Sequence, residues 1–374
     1  LSELWSTTSE KSLNSVLDVF PKPYRPSGGE KQRVLLAMAF KKIELVVNKS
    51  GLKPTYFVFD EPTGSLDNKY RNLFLALLVR KFKKSPFTVK IITHDYSIIS
   101  EIYKNYHNQI DDFRFMELIR KESGELELQK FSAELYLGWL NNVHTVLSRS
   151  ETLDTVLTVK SNLEVFGRNL SLGKDLVVRR GEMVYLKAAS GVGKTTLAKV
   201  VMGLYKADKF SMNLSGENIT EKTPEHIWTK RIWGKKAGMV FQHADESLNL
   251  ASSVRELFEG LPLKNKLSDT ELIVELSRIF PQKITTDFLS RKVKFLSGGQ
   301  KQCLNLLRTF LIKPDLIILD EPLNGLDFNR IKLVLDLISD GLKSGSAVLI
   351  ITHNEEIMEH LIDSSAIWHL TASD

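Results

Sequence analysis

The run Ser190-Gly-Val-Gly-Lys-Thr-Thr196 has the residue types and spacing of a loop that grips phosphate. Gly191 and Gly193 let backbone N–H groups wrap an anion, Lys194 can reach β- and γ-phosphates, and the Thr195 hydroxyl can bind Mg²⁺. Ser190, Val192 and Thr196 belong to the same cradle. The match departs from G-x-x-x-x-G-K-[ST] at Ala188, which stands where the first glycine belongs. Its β-carbon would cost about 1 kcal/mol or more only if that position needed a positive φ. Further along, Asp320 and Glu321 end the apolar run Leu-Ile-Ile-Leu. Two adjacent carboxylates at a buried edge are costly unless a cation or solvent receives them. Asp320 can hold Mg²⁺ through water, and Glu321 can act as base or position the water that attacks a γ-phosphate.

These residues need a scaffold, and the flanking patterns supply one. "MVYLKA" reads as a strand and "TTLAKVVMGL" as a helix, the context such a loop requires. "YFVFD", "LIILD", "VKIITH" and "AVLIITH" are short apolar runs expected to be buried parallel strands, and the helical patterns "EKQRVLLAMAFKK" and "QKQCLNLLRTFLI" alternate with them. An α/β fold with a parallel sheet is predicted.

The chain also repeats itself. Ser27-Gly28-Gly29, Asp60-Glu61 and His94 recur in the same order as Ser297-Gly298-Gly299, Asp320-Glu321 and His353. Asp60 to His94 is 34 residues and Asp320 to His353 is 33, whereas Ser27 to Asp60 is 33 against 23 in the later copy. "VVNKSGLKP" reads as the loop inserted there. A phosphate loop for the first copy would fall before residue 1, so residues 1–150 are expected to be a truncated first domain plus linker, and 151–374 a whole second one. Within the first, residues 113–130 read as a hairpin turning at Ser-Gly, followed by a short helix and linker; the second starts near Thr155.

Composition narrows the function classes. The chain has 374 residues, 43% hydrophobic and 26% charged, enough to bury roughly two cores. Its +6 charge is scattered rather than massed, as on a solvated basic surface, and no nucleic-acid partner is expected. One cysteine, Cys303, excludes disulfide frameworks, multi-cysteine zinc sites and an iron–sulfur cluster within the chain, and agrees with a reducing compartment. No apolar run approaches the ~18 residues of a membrane span, so a soluble chain is expected. The opening Leu1 in place of Met suggests a processed or missing N-terminus.

A phosphate loop followed by Ser-Gly-Gly-Gln, strand-Asp-Glu-Pro, Leu-Asp and Thr-His resembles the ATP-binding-cassette (ABC) ATPases. The resemblance implies the P-loop ABC ATPase fold, with a parallel core sheet, an antiparallel β subdomain and a helical subdomain, present as one partial and one complete cassette. It implies ATP and Mg²⁺ as cofactors. It also assigns roles: Gln242 contacts Mg²⁺ and the attacking water, and His353 contacts the γ-phosphate. Phe166 stacks on adenine or packs as an ordinary core residue, and Asp67 and Asp327 communicate across a cassette pair. Cassettes of this family meet head to tail, so Ser27, Gly28 and Gly29 would close over the nucleotide at Lys194. The incomplete second site would hold Asp60, Glu61, His94, Ser297, Gly298 and Gly299. Pro26 and Cys303 replace a usual Leu and Arg.

"FQHADESLN" with Val254 is similar to cassettes of oligopeptide and nickel uptake systems. That implies an importer motor, peripheral on the cytoplasmic face of the plasma membrane, working with separate transmembrane permease subunits and a substrate-binding protein. The alternative is a soluble, non-transport tandem cassette of the translation-factor or enzyme-activating type.

Overall fold

The computed structural model describes residues 28–50, 56–64, 66–110, 113–120, 125–143, 154–263 and 265–373. It divides into two compact units, Leu1–Asn142 and Val143–Asp374.

In the first unit, helix α1 (Gly28–Ser50) precedes strand β1 (Tyr56–Asp60), helix α2 (Asn68–Lys84), strand β2 (Thr88–Ile92) and helix α3 (Ser97–Asn105). Strands β1 and β2 pair in parallel from Tyr56↔Thr88 to Asp60↔Ile92. Leu36, Phe40, Ile43, Phe74, Leu75 and Ile98 form the core, with Phe74 edge-on to Phe59 at 5.4 Å. An antiparallel hairpin of β3 (Met116–Arg120) and β4 (Leu126–Lys130) follows, then helix α4 (Ala133–Asn142). The hairpin and short helix agree with the sequence; the Ser-Gly turn lies outside the described residues. Two expectations need correction. Helix α1 runs through Ser50, so Val46 to Ser50 of the "inserted loop" are helical, with Val47 packed against the core. Strands β1 and β2 are strands but not buried ones, since Tyr56, Val58 and Ile92 stand exposed. Among the described residues this sheet has only two strands, so alternate side chains lack cover.

The second unit is built around a five-stranded parallel sheet. Its strands are β9 (Met183–Lys187), β12 (Ala237–Val240), β13 (Leu316–Asp320), β14 (Ala347–Ile351) and β15 (Ile367–His369), in the order β12-β13-β14-β9-β15. Every residue of β13 and β14 is buried, as continuous apolar runs in a sheet covered on both faces require. Two antiparallel sheets accompany it. One has β5 (Thr155–Val159), β8 (Leu176–Arg179), β10 (Ser211–Leu214) and β11 (Glu217–Thr220); the other has β6 (Asn162–Val165), β7 (Arg168–Ser171) and β16 (Thr371–Ser373). Helix α5 (Lys194–Val201) follows β9. Helices α6 (Asp269–Ser277), α7 (Thr286–Ser290) and α8 (Gly298–Ile312) lie between β12 and β13, and α9 (Phe328–Lys343) and α10 (Glu355–Leu361) flank β14.

Helix α5 must stop cleanly so that the loop before it is fixed at both ends. Leu204 N–H donates to Lys199 O at 2.8 Å and Gly203 N–H to Val200 O at 2.9 Å, around a left-handed Gly203 at φ +68°. A β-carbon at Gly203 would lie 2.3 Å from the Trp228 ring. Gly203→Ala should therefore cost about 2–4 kcal/mol from the φ penalty and overpacking combined. Urea unfolding of the two proteins measures it.

Candidate active site

Strand β9 ends at Lys187 and the chain turns through residues 188–193 into α5. Gly191 (φ +83°) and Gly193 (φ +121°) take backbone conformations that side chains avoid, and Gly193 is the N-cap of the helix. Ala188 is not among the residues with positive φ, so the glycine usual at that position is not needed here. Lys194 is buried, and its ammonium donates to Ala188 O at 2.7 Å and Ala189 O at 3.3 Å. The helix N-terminus and this lysine together present positive charge to an anion held in the loop.

Parallel pairing brings the other candidates to the same sheet edge. Val240 pairs with Leu319 and Asp320 with Ile351, so Asp320 stands at the carboxyl end of its strand while Gln242, Glu321 and His353 follow the carboxyl ends of neighbouring strands. Ligands of open α/β sheets bind at that edge. Gln242 is exposed in the bend after β12. Thr195 Oγ1 donates to Asp320 Oδ1 at 3.2 Å. Asp320 is 1% exposed, and its Oδ2 has no hydrogen-bond partner. Burial raises the Asp320 pKa above the usual carboxylate range, against the Thr195 hydrogen bond and the charges of Lys199 and Lys194. A hydroxyl beside an unsatisfied buried carboxylate oxygen fits a hard, oxygen-seeking cation.

Glu321 is 3% exposed and sits in the left-handed region at φ +51°, a strain of roughly 1–3 kcal/mol for a non-glycine residue. Several contacts hold it. Its N–H donates to Ile351 O at 2.8 Å, and its Oε2 accepts from Thr352 Oγ1 at 3.0 Å and from His353 N–H at 3.1 Å. His353 Nε2 lies 3.5 Å from Oε1. Burial pushes the Glu321 carboxyl up to about 7 despite those two hydrogen bonds.

The first unit repeats this geometry. Glu61 has φ +45°, donates its N–H to Ile92 O at 2.9 Å, and accepts from Thr93 Oγ1 at 3.3 Å and His94 N–H at 3.0 Å. Its carboxyl too is raised by burial. Asp67 and Asp327 play matching local roles: each N-caps the next helix, accepting from Tyr70 N–H at 3.1 Å and Arg330 N–H at 2.9 Å.

The Ser-Gly-Gly motifs differ in what can be described. Ser297 N-caps α8 in a capping box with Gln300, and Gly299 is buried so close to Gly325 that a β-carbon would lie 2.8 Å from its carbonyl oxygen. Gly28 and Gly29 begin α1, while Ser27 lies outside the described residues. Cys303 is buried and its thiol is pushed up to about 12, which leaves it chemically inert. Phe166 is 67% exposed at φ +54° in the β6–β7 turn, which removes the ordinary-core reading; its ring meets Tyr205 edge-on at 5.6 Å. Sequence reasoning gave no role to Thr352, which bonds Glu321, and did not bring Tyr205 to Phe166. The sequence signal for Thr352 was its place before His353, repeated by Thr93 before His94.

Residues 173–324 match the family model described as ABC transporter. That stretch of the second unit therefore carries an ABC ATPase domain, of the P-loop fold and of an ATP-hydrolysing class. An ABC transporter ATP-binding protein of Treponema denticola is 29% identical over 350 residues, covering 89% of this chain and 64% of that protein. The oligopeptide transport ATP-binding protein OppF of Streptococcus mutans is 30% identical over 198 residues, covering 51% of this chain and 63% of its own. The chain thus spans less than two-thirds of the length of these relatives. Among solved structures, RNase-L Inhibitor shares the fold at 18% identity and TM-score 0.60, covering 99% of this chain and 70% of that one.

The raised Glu321 pKa has a consequence for stability. Between pH 4.5, its ordinary value, and about 7, the folded chain keeps a proton that the unfolded chain has released. The stability this group contributes is complete below 4.5 and is lost as pH rises through 7. In nucleotide-free, chelator-treated protein, Glu321→Gln should gain stability relative to native over that interval. Denaturant midpoints of both proteins between those pH values check the sign.

Proposed function

We propose that this chain is the ATP-binding and hydrolysing subunit of an ABC transporter, of the importer kind that drives separate membrane permease subunits and works with a substrate-binding protein. The observation that carries the reading is the buried constellation at the sheet edge: Thr195 bonded to Asp320, and Glu321 held by Thr352 and His353. Similarity to OppF and to a methionine import ATP-binding protein, MetN, of Rhizobium johnstonii, 32% identical over 205 residues, supports an importer. No helix among the described residues is long and apolar enough to cross a membrane. In this reading the spans belong to partner subunits, and the chain works peripherally on the cytoplasmic face.

In this reading residues 1–150 are the later part of one cassette and 151–374 a complete second one. ATP lies on Ser190 to Thr196, with Phe166 against adenine. Thr195, Asp320 and Gln242 would hold Mg²⁺, which neutralises phosphate charge. Glu321 takes a proton from the attacking water or orients it, and His353 contacts the γ-phosphate. Ser27, Gly28 and Gly29 would keep the role of closing over a nucleotide, which N–H groups at a helix start suit. Asp60, Glu61, His94 and Ser297 to Gly299 form the second, incomplete site.

Lys194→Ala should abolish nucleotide binding, and the native chain should saturate near one ATP per chain in a calorimetric titration; near two would reveal another phosphate loop. Glu321→Gln should still bind ATP while hydrolysis falls at least about 100-fold, the usual scale for losing a general base. Unchanged turnover would move that role to another residue. Mixing inactive Lys194→Ala with inactive Gly28→Asp chains should restore nothing if the site closes within one chain.

A further inference from the structure

We propose that Tyr185 and Lys187 are positioning residues that fasten the switch segment, residues 352–359, to the strand feeding the phosphate loop, so that Glu321 and His353 stay in register with that loop. The inference rests on the assignment of Glu321 and His353 to hydrolysis.

The two residues are two apart on β9 and so share a face of the strand. Tyr185 is buried and its hydroxyl donates to Thr352 O at 3.1 Å. Lys187 closes the strand, and its ammonium lies 2.8 Å from Glu355 Oε2 and 2.6 Å from Glu359 Oε1, one turn apart on α10. The grips fall on either side of His353, one before it and one after. Between them sit the Thr352 hydroxyl and the His353 N–H, the groups that hold the Glu321 carboxylate. A continuous path therefore runs from the loop strand through the switch segment to the hydrolytic carboxylate.

A lysine at this place is not what the strand's surroundings select. The four preceding residues of β9 are all buried, and parallel strands between two neighbours favour apolar residues throughout. Lys187 keeps 27% and Glu355 only 14% side-chain exposure, so this pair is shielded more than an ordinary surface ion pair. Burial alone would lower the lysine pKa, yet the two glutamates raise it, and the ammonium stays charged.

Amide hydrogen exchange on the full chain tests the link. Lys187→Met should speed exchange in peptides covering 352–361 by about tenfold while β5 and β13 peptides stay unchanged, and Lys187→Arg should restore most of the protection. In parallel, kcat of Lys187→Met should fall about tenfold with KM for ATP within about twofold, since binding groups are untouched. Unchanged exchange in 352–361, an equal increase everywhere, or faster exchange with native kcat would overturn the proposal. A native chain without turnover would sink the hydrolytic assignment instead, and exchange would still decide whether the fastening exists.

Discussion

Asp320 and Glu321 are two carboxylates at the end of a strand with no exposed residue, and the surrounding architecture is arranged around tolerating them. Burial raises both pKa values, so the fold carries a standing electrostatic cost there. Thr195 bonds one oxygen of Asp320, and Lys194 and Lys199 add favourable charge. Glu321 receives a hydroxyl and an amide from the loop after β14. Part of the cost remains, in the unsatisfied Asp320 Oδ2, and a bound cation would remove it.

The left-handed turn at Glu321 adds a second cost, and its recurrence at Glu61 argues that the turn belongs to the motif rather than to local packing. The two glutamates sit in different surroundings: one follows a wholly buried strand, the other a strand with alternate residues exposed. Each nevertheless donates its N–H to the neighbouring strand and accepts from the Thr-His pair. The conformation thus follows from those few local hydrogen bonds, which aim the carboxylate along the sheet edge.

Much of this was legible in the sequence because the motifs are local. The phosphate loop needs glycines at fixed places, and a strand ending in acids reads as an apolar run. What depended on distant surroundings was not legible. "YFVFD" and "LIILD" look alike, yet only the second is buried, because burial depends on which strands lie alongside. Phe166 could be core or surface until the tight β6–β7 turn placed it outside. Ala188 needed its φ before the missing glycine could be judged harmless. Tyr185 and Lys187 carried no motif, and their partners lie more than 160 residues away.

Strand β9 leads into the phosphate loop early in the second unit, yet both strands that flank it, β14 and β15, come from residues 347–351 and 367–369. A ribosome would therefore release the loop long before its supporting neighbours exist. During that interval β9 is an apolar segment with two unpaired edges, open to wrong partners or to a chaperone. Closing such distant contacts makes folding slow relative to a chain of local ones. Competence to hold phosphate would thus arise only once residues 347–369 have followed, and a nascent chain showing every motif upstream of them would not yet have it.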